Sequence, residues 1–214
     1  MSNLARLLAI LLLIGTVLVG VGALFHPTLA GDAAAQLRTI AGTPYWRTLH
    51  LAMLAGSGLV IAGLWVRLVN DRAMAAPLVA ALVLVTVGMA LNALNIAFMA
   101  ASGTHMAALF TTGQLEMQGM FEATHPIGLM AARFGNFIVA LGAAALGWIE
   151  WQDATRPRWL AWLAWLAAAG GFVGVFFFDE ASRLALAAVG LLSGWELATA
   201  ALAMRRPAPP TVPR

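Results

Sequence analysis

Residues 7–25, LLAILLLIGTVLVGVGALF, form an apolar run of 19 residues whose one polar side chain is Thr16. A helix rises 1.5 Å per residue, so about 20 such residues cross the ~30 Å hydrocarbon layer of a bilayer. The run exceeds the about 7–15 residues of a secretory h-region, and no small-x-small cleavage site follows. It is expected to remain as a first membrane helix over 5–25.

Five further stretches of this kind follow, at 47–69, 75–101, 126–149, 158–178 and 183–204. The chain is 62% hydrophobic and 10% charged, with a mean hydropathy of +0.87. A soluble domain carries about 25% charge. The expectation is therefore an all-α, polytopic membrane bundle of six transmembrane helices, forming one domain over 1–206. The tail 207–214 has prolines at 207, 209, 210 and 213 and is expected to be disordered.

Composition also excludes chemistries. Without cysteine there are no disulfides, iron–sulfur ligands or thiolate zinc sites. Without lysine there is no Schiff-base attachment point; all 12 cations are arginine. A net charge of +3 speaks for membrane orientation rather than nucleic-acid binding. Arg6, Arg67, Arg72, Arg156, Arg158, Arg205, Arg206 and Arg214 fall on one side of the threaded chain, and Arg38, Arg47 and Arg183 on the other. By the positive-inside rule both termini are cytoplasmic, in a bacterial inner membrane. Trp46, Trp65, Trp148, Trp151 and Trp159 fit an aromatic belt at its interfaces.

The two long connections, 26–46 and 102–125, then lie outside. Each has room for a short surface helix, at 33–40 with Asp32 as N-cap and at 113–124. Long ordered loops commonly cover a site.

All four histidines (His26, His50, His105 and His125) fall at helix ends on that outer face. His26 and His50 flank the first outer loop and His105 and His125 the second, which reads as a weak internal duplication. His125 precedes Pro126, a residue favoured in the first turn of a helix. Imidazole is the commonest metal ligand and is seldom left at such depth without a partner.

Two kinds of centre suit this set. A haem b takes two axial imidazoles, His50 and His125, with Gly56, Gly58, Gly63, Gly128, Gly135 and Gly142 admitting the macrocycle. Arg133, Arg47 and Arg38 are then candidates for its propionates. In gathering histidines toward the outer leaflet the pattern resembles membrane haem proteins such as haem A synthase. A metal ion on His26, His50, His105 and His125 is the other choice. Asp32, Glu116 or Glu122 would suit zinc or iron, while Met99, Met106, Met117 and Met120 would suit copper.

Arg133 lies about 10 Å into the membrane, counted from Pro126. Asn92, Asn95 and Asn136 are expected beside it, with Glu122 or Asp179 to balance its charge. Glu196 is expected to reach the inner face or pair with an inner arginine. Phe176–Phe178 and Trp159, Trp162 and Trp165 read as lipid contact or packing.

The leading expectation is a haem- or metal-binding protein for electron transfer or a related redox step, with a quinone or cytochrome as redox partner. The alternatives are an accessory subunit of a larger respiratory or photosynthetic complex and, more weakly, a small-solute transporter. No residue is assigned to catalysis.

Overall fold

The computed structural model describes residues 3–70, 75–177 and 183–205. Arg72, Phe178, Asp179, Arg206, Arg214 and the 207–214 tail lie outside the described residues, as do the side chains of Phe176, Phe177 and Arg183.

The described elements are all helical: α1 (Asn3–Leu24), α2 (Ala33–Ala41), α3 (Trp46–Leu64), α4 (Val66–Asn70), α5 (Ala75–Phe98), α6 (Thr104–Thr111), α7 (Glu116–Gln152), α8 (Trp159–Phe177) and α9 (Arg183–Arg205). Five helical stretches are long and apolar enough to cross a membrane: Asn3–Leu24, Trp46–Leu68, Ala76–Thr111, Glu116–Gln152 and Ala187–Arg205. The remaining apolar helix, Trp159–Val175, is shorter.

The long helices close a ring. Helix α1 packs on α3, α3 on α5, α5 on α7, α7 on α8, α8 on α9, and α9 back on α1. One hydrophobic core fills the ring at the end bearing the termini, around Leu12, Val60, Leu82, Leu146, Leu160 and Trp195. A second, smaller core lies at the opposite end, among Leu37, Ile40, Trp46, Met106, Phe110 and Phe121.

The two hairpins α1–α3 and α5–α7 are built on one plan. A Cβ on Gly15 would lie 2.6 Å from the Val60 nitrogen, and one on Gly88 would lie 2.7 Å from the Val139 nitrogen. Gly15 also faces Gly56, as Gly88 faces Gly135; Gly63 meets Leu12, as Gly142 meets Val85. From 12 and 15 to 85 and 88 the shift is 73, and from 56, 60 and 63 to 135, 139 and 142 it is 79. Without a hydrophobic drive between helices in lipid, close backbone approach at small residues is what holds such pairs. These glycines serve helix packing rather than a slot for a macrocycle.

The cap differs from expectation. Segment 33–40 is the short helix α2, and Asp32 accepts a hydrogen bond from the Ala35 amide at 2.8 Å. Leu37 and Ile40 turn inward, a burial that contributes about 1.5–3 kcal/mol for each side chain. The second connection is not a loop. Helix α5 runs through a π-helical turn, Met99–Gly103, into α6, and α7 already starts at Glu116. Ser102, Gly103 and Thr104 lower the hydropathy, but none forbids helical backbone, so the ladder continues. Segment 113–124 is therefore mostly the first three turns of α7, and Pro126 sits inside that helix rather than in its first turn. Pro126 leaves only the Glu122 carbonyl without its helical donor, at an exposed residue. Rods of 36 and 37 residues span about 54 Å, well beyond a bilayer core, and carry the cap on which α2 rests.

Candidate functional site

Between the two cores lies a cavity of about 560 Å³. All six ring helices contribute to its wall, and His26, His50 and His125 line it together with Asn95, Arg133 and Asn136.

His26 follows the end of α1, where Pro27 prevents continuation. His50 lies one turn into α3 and is 2% exposed. Their Nε2 atoms stand 3.2 Å apart. His50 Nδ1 is 2.8 Å from the Trp46 carbonyl, which can only accept, so Nδ1 carries the proton. In the neutral pair His50 Nε2 is then the acceptor and His26 Nε2 the donor. Burial, first, and the neighbouring His50, second, lower the His26 pKa to about 4, against an opposing hydrogen bond to the Pro27 backbone. The imidazole is thus neutral at physiological pH, the form that binds metals.

Trp46 organises the pair. Its ring lies 4.9 Å from that of His26 and 4.4 Å from that of His50. Its indole N–H donates to the Met99 carbonyl at 3.2 Å, and the Thr104 hydroxyl donates to the same oxygen at 3.0 Å. The backbone N–H of Thr104 closes the π turn onto the same carbonyl. Trp46 is therefore buried at 1% exposure, not part of an aromatic belt.

His125 enters from α7, 7% exposed, with its ring stacked on Phe121 at 4.4 Å. Among the described residues its nitrogens have no hydrogen-bond partner. His105, on α6, is exposed and does not line the cavity. The histidines are thus gathered as three, not four. Among the described residues, no three His, Asp or Glu side chains converge as metal ligands.

The hairpin registers explain the asymmetry. Shifted by 79, His50 corresponds to Leu129 and Trp46 to His125. The flanking histidines of the two outer connections are not equivalent positions.

Arg133 lines the cavity without a carboxylate partner among the described residues. Glu122 instead accepts from Gln118 at 2.9 Å, and Arg47 and Arg38 are exposed and away from the wall. Asn95 and Asn136 line the same cavity as Arg133. Asn92 Nδ2 donates to Asn136 Oδ1 at 2.6 Å, while the buried Asn95 Oδ1 has no partner. Met53 and Met99 also reach the wall; Met106 is buried elsewhere, in the cap core.

Two buried acidic groups lie outside the cavity. Among the described residues Glu196 does not reach an arginine: α9 packs on α1, and the Thr16 hydroxyl meets the Glu196 carboxyl at 2.8 Å. Glu150, which its sequence setting does not single out, is 1% exposed and lies between Arg67, at 3.7 Å, and Arg156. Its position two residues before the end of α7 gives no sign of burial, because the chain there looks like an ordinary polar turn.

Comparison with protein-family models, curated proteins and solved structures finds no match. The functional reading therefore stands on the geometry of the cavity.

Proposed function

We propose that this chain is a six-span protein of a bacterial inner membrane that holds one first-row transition-metal ion between His26 and His50, for electron transfer or a related redox step. The arginine distribution supports cytoplasmic termini, which puts the cap and the imidazoles on the outer side.

The separation of the two Nε2 atoms carries the reading. With metal–nitrogen bonds of about 2.0–2.1 Å, nitrogens 3.2 Å apart subtend about 100° at one ion. That lies between octahedral and tetrahedral angles. The backbone carbonyl behind His50 Nδ1 fixes the tautomer that leaves Nε2 free, the usual support of a metal-bound histidine. Met53 and Met99 also line the cavity, and a thioether ligand would favour copper over harder ions.

Haem b on His50 and His125 has less support. Iron on His50 Nε2 takes the space that His26 Nε2 occupies, so axial ligation requires His26 to swing away. A cavity lined by all six ring helices also favours a ligand-binding role over that of a supporting subunit.

Elemental analysis and an absorption spectrum of detergent-purified protein test this. One equivalent of copper, iron or zinc, lost in both His26→Gln and His50→Gln, is the expected result. A Soret band moves the assignment to haem. Wild-type protein with neither metal nor haem after loading with copper, iron or zinc salts overturns it.

A further inference from the structure

The hydroxyl of Thr16 stands between two oxygens. Its Oγ1 lies 2.8 Å from the Leu12 carbonyl, one turn earlier on α1, and 2.8 Å from Glu196 Oε2 on α9. A hydroxyl has one hydrogen to donate and two lone pairs with which to accept. The Leu12 carbonyl can only accept, and donation to the carbonyl four residues back is the ordinary habit of a threonine inside a helix. With that hydrogen given to α1, a second oxygen at the same distance must bring a hydrogen of its own. Glu196 Oε2 can do so only as the O–H of a protonated carboxyl. A carboxylate there would have to draw the Thr16 hydrogen away from Leu12 and would gain a single donor.

Among the described residues a carboxylate finds no other support. Thr16 and Glu196 are buried, and Glu196 lies in Ala187–Arg205, a stretch long and apolar enough to cross a membrane. Helix α9 packs on α1 and α8. The charged residues of these elements, besides Glu196, are Arg6 on α1 and Arg183 and Arg205 on α9; α8 has none. Arg6 is exposed, about 15 Å along α1 from Thr16, and Arg205 is exposed, about 14 Å along α9 from Glu196. Arg183 stands about 20 Å along α9 in the other direction. Trp195 Nε1 and Thr199 Oγ1, buried close to Glu196 in sequence, make no hydrogen bond among the described residues, so neither donates to it. A carboxyl taken out of water without a cation takes up a proton rather than stay charged.

We infer that Glu196 is a proton-binding site: at neutral pH its carboxyl is an uncharged acid whose O–H donates to Thr16 Oγ1, while Thr16 donates to the Leu12 carbonyl. This relay of two hydrogen bonds joins α9 to α1 and closes the helical ring without a charge in the seam. Loss of the proton removes the bond between the helices and leaves a negative charge in its place. The inference uses neither the cavity nor an ion at His26 and His50.

Infrared spectra of the purified full chain at neutral pH test this, through the carbonyl stretch that a protonated carboxyl shows and a carboxylate lacks. The difference between wild type and Glu196→Gln is expected to contain one such band, with unchanged helicity confirming the fold. Glu122→Gln, at an exposed position, is expected to leave the band in place. Thr16→Val removes the acceptor and is expected to keep the band but move it to higher frequency, while Thr16→Ser holds it near the wild-type position. A wild-type spectrum without a protonated-carboxyl band overturns the inference before any variant is made. A band that survives in Glu196→Gln, or that Thr16→Val leaves unmoved, overturns it as well.

Discussion

The Nδ1 of His50 donates to the carbonyl of Trp46, one helical turn earlier on α3, at 2.8 Å. The same tryptophan covers both imidazoles with its ring and reaches across to the π turn through its indole N–H. One residue thus fixes the tautomer and orientation of His50 and ties α3 to the end of α5.

Trp46→Phe keeps most of the apolar contact and removes the indole donor. The Met99 carbonyl retains Thr104, so stability falls modestly, by about 1–2 kcal/mol in detergent or denaturant unfolding. Metal affinity falls as well, while Trp148→Phe, at a 60% exposed position, changes neither.

His26 makes folding sensitive to acid. Its folded pKa of about 4 lies below the ordinary 6.5, so between these values the unfolded chain binds the proton and the folded chain does not. Its contribution is fully present above pH 6.5 and is lost as pH falls toward 4. Unfolding curves between pH 7 and 4 are expected to show a slope that His26→Gln reduces. An equal slope in the variant would assign the acid sensitivity to other groups.

Glu150 sits between two buried arginines at the end opposite the cavity, and the charge of Asp153 also acts on both. Glu150→Ala removes the buried carboxylate of this cluster and is expected to cost about 3–5 kcal/mol. Replacing Glu150, Arg67 and Arg156 together by methionine recovers much of that loss. Metal content per folded molecule is unaffected in both, since the cluster does not line the cavity.

The Thr16–Glu196 contact is a helix clamp between α1 and α9. Glu196→Gln preserves a hydrogen bond and is expected to stay within about 0.5 kcal/mol of wild type, whereas Thr16→Val leaves a buried carboxyl without its partner and costs about 1–3 kcal/mol. Metal binding remains at the wild-type level in Glu196→Gln.

Hydropathy alone reveals the long apolar helices, because lipid demands uninterrupted apolar runs that seldom arise otherwise. The Asp32 cap and α2 are equally legible, since an acidic residue ahead of AAAQLRTI satisfies free amides at a helix start. The extension of α5 through the π turn is not, because 102–105 loses hydropathy without any helix-breaking residue. Three imidazoles reach one cavity, as their common face suggests. His105 is turned away by the register of α6, which no single-residue property signals. The surroundings of Arg133 and the burial of Glu150 depend on which helices become neighbours, and that follows from glycine contacts between distant segments.

Gly15 against Gly56 and Gly88 against Gly135 repeat one contact at fixed spacing. Such a register brings the helices of both hairpins together through the same small-residue contact. Yet Leu129 stands where the other copy has His50, and Trp46 where the other has His125. The imidazole pair accordingly belongs to one half alone, so a repeated scaffold carries a site that is not repeated.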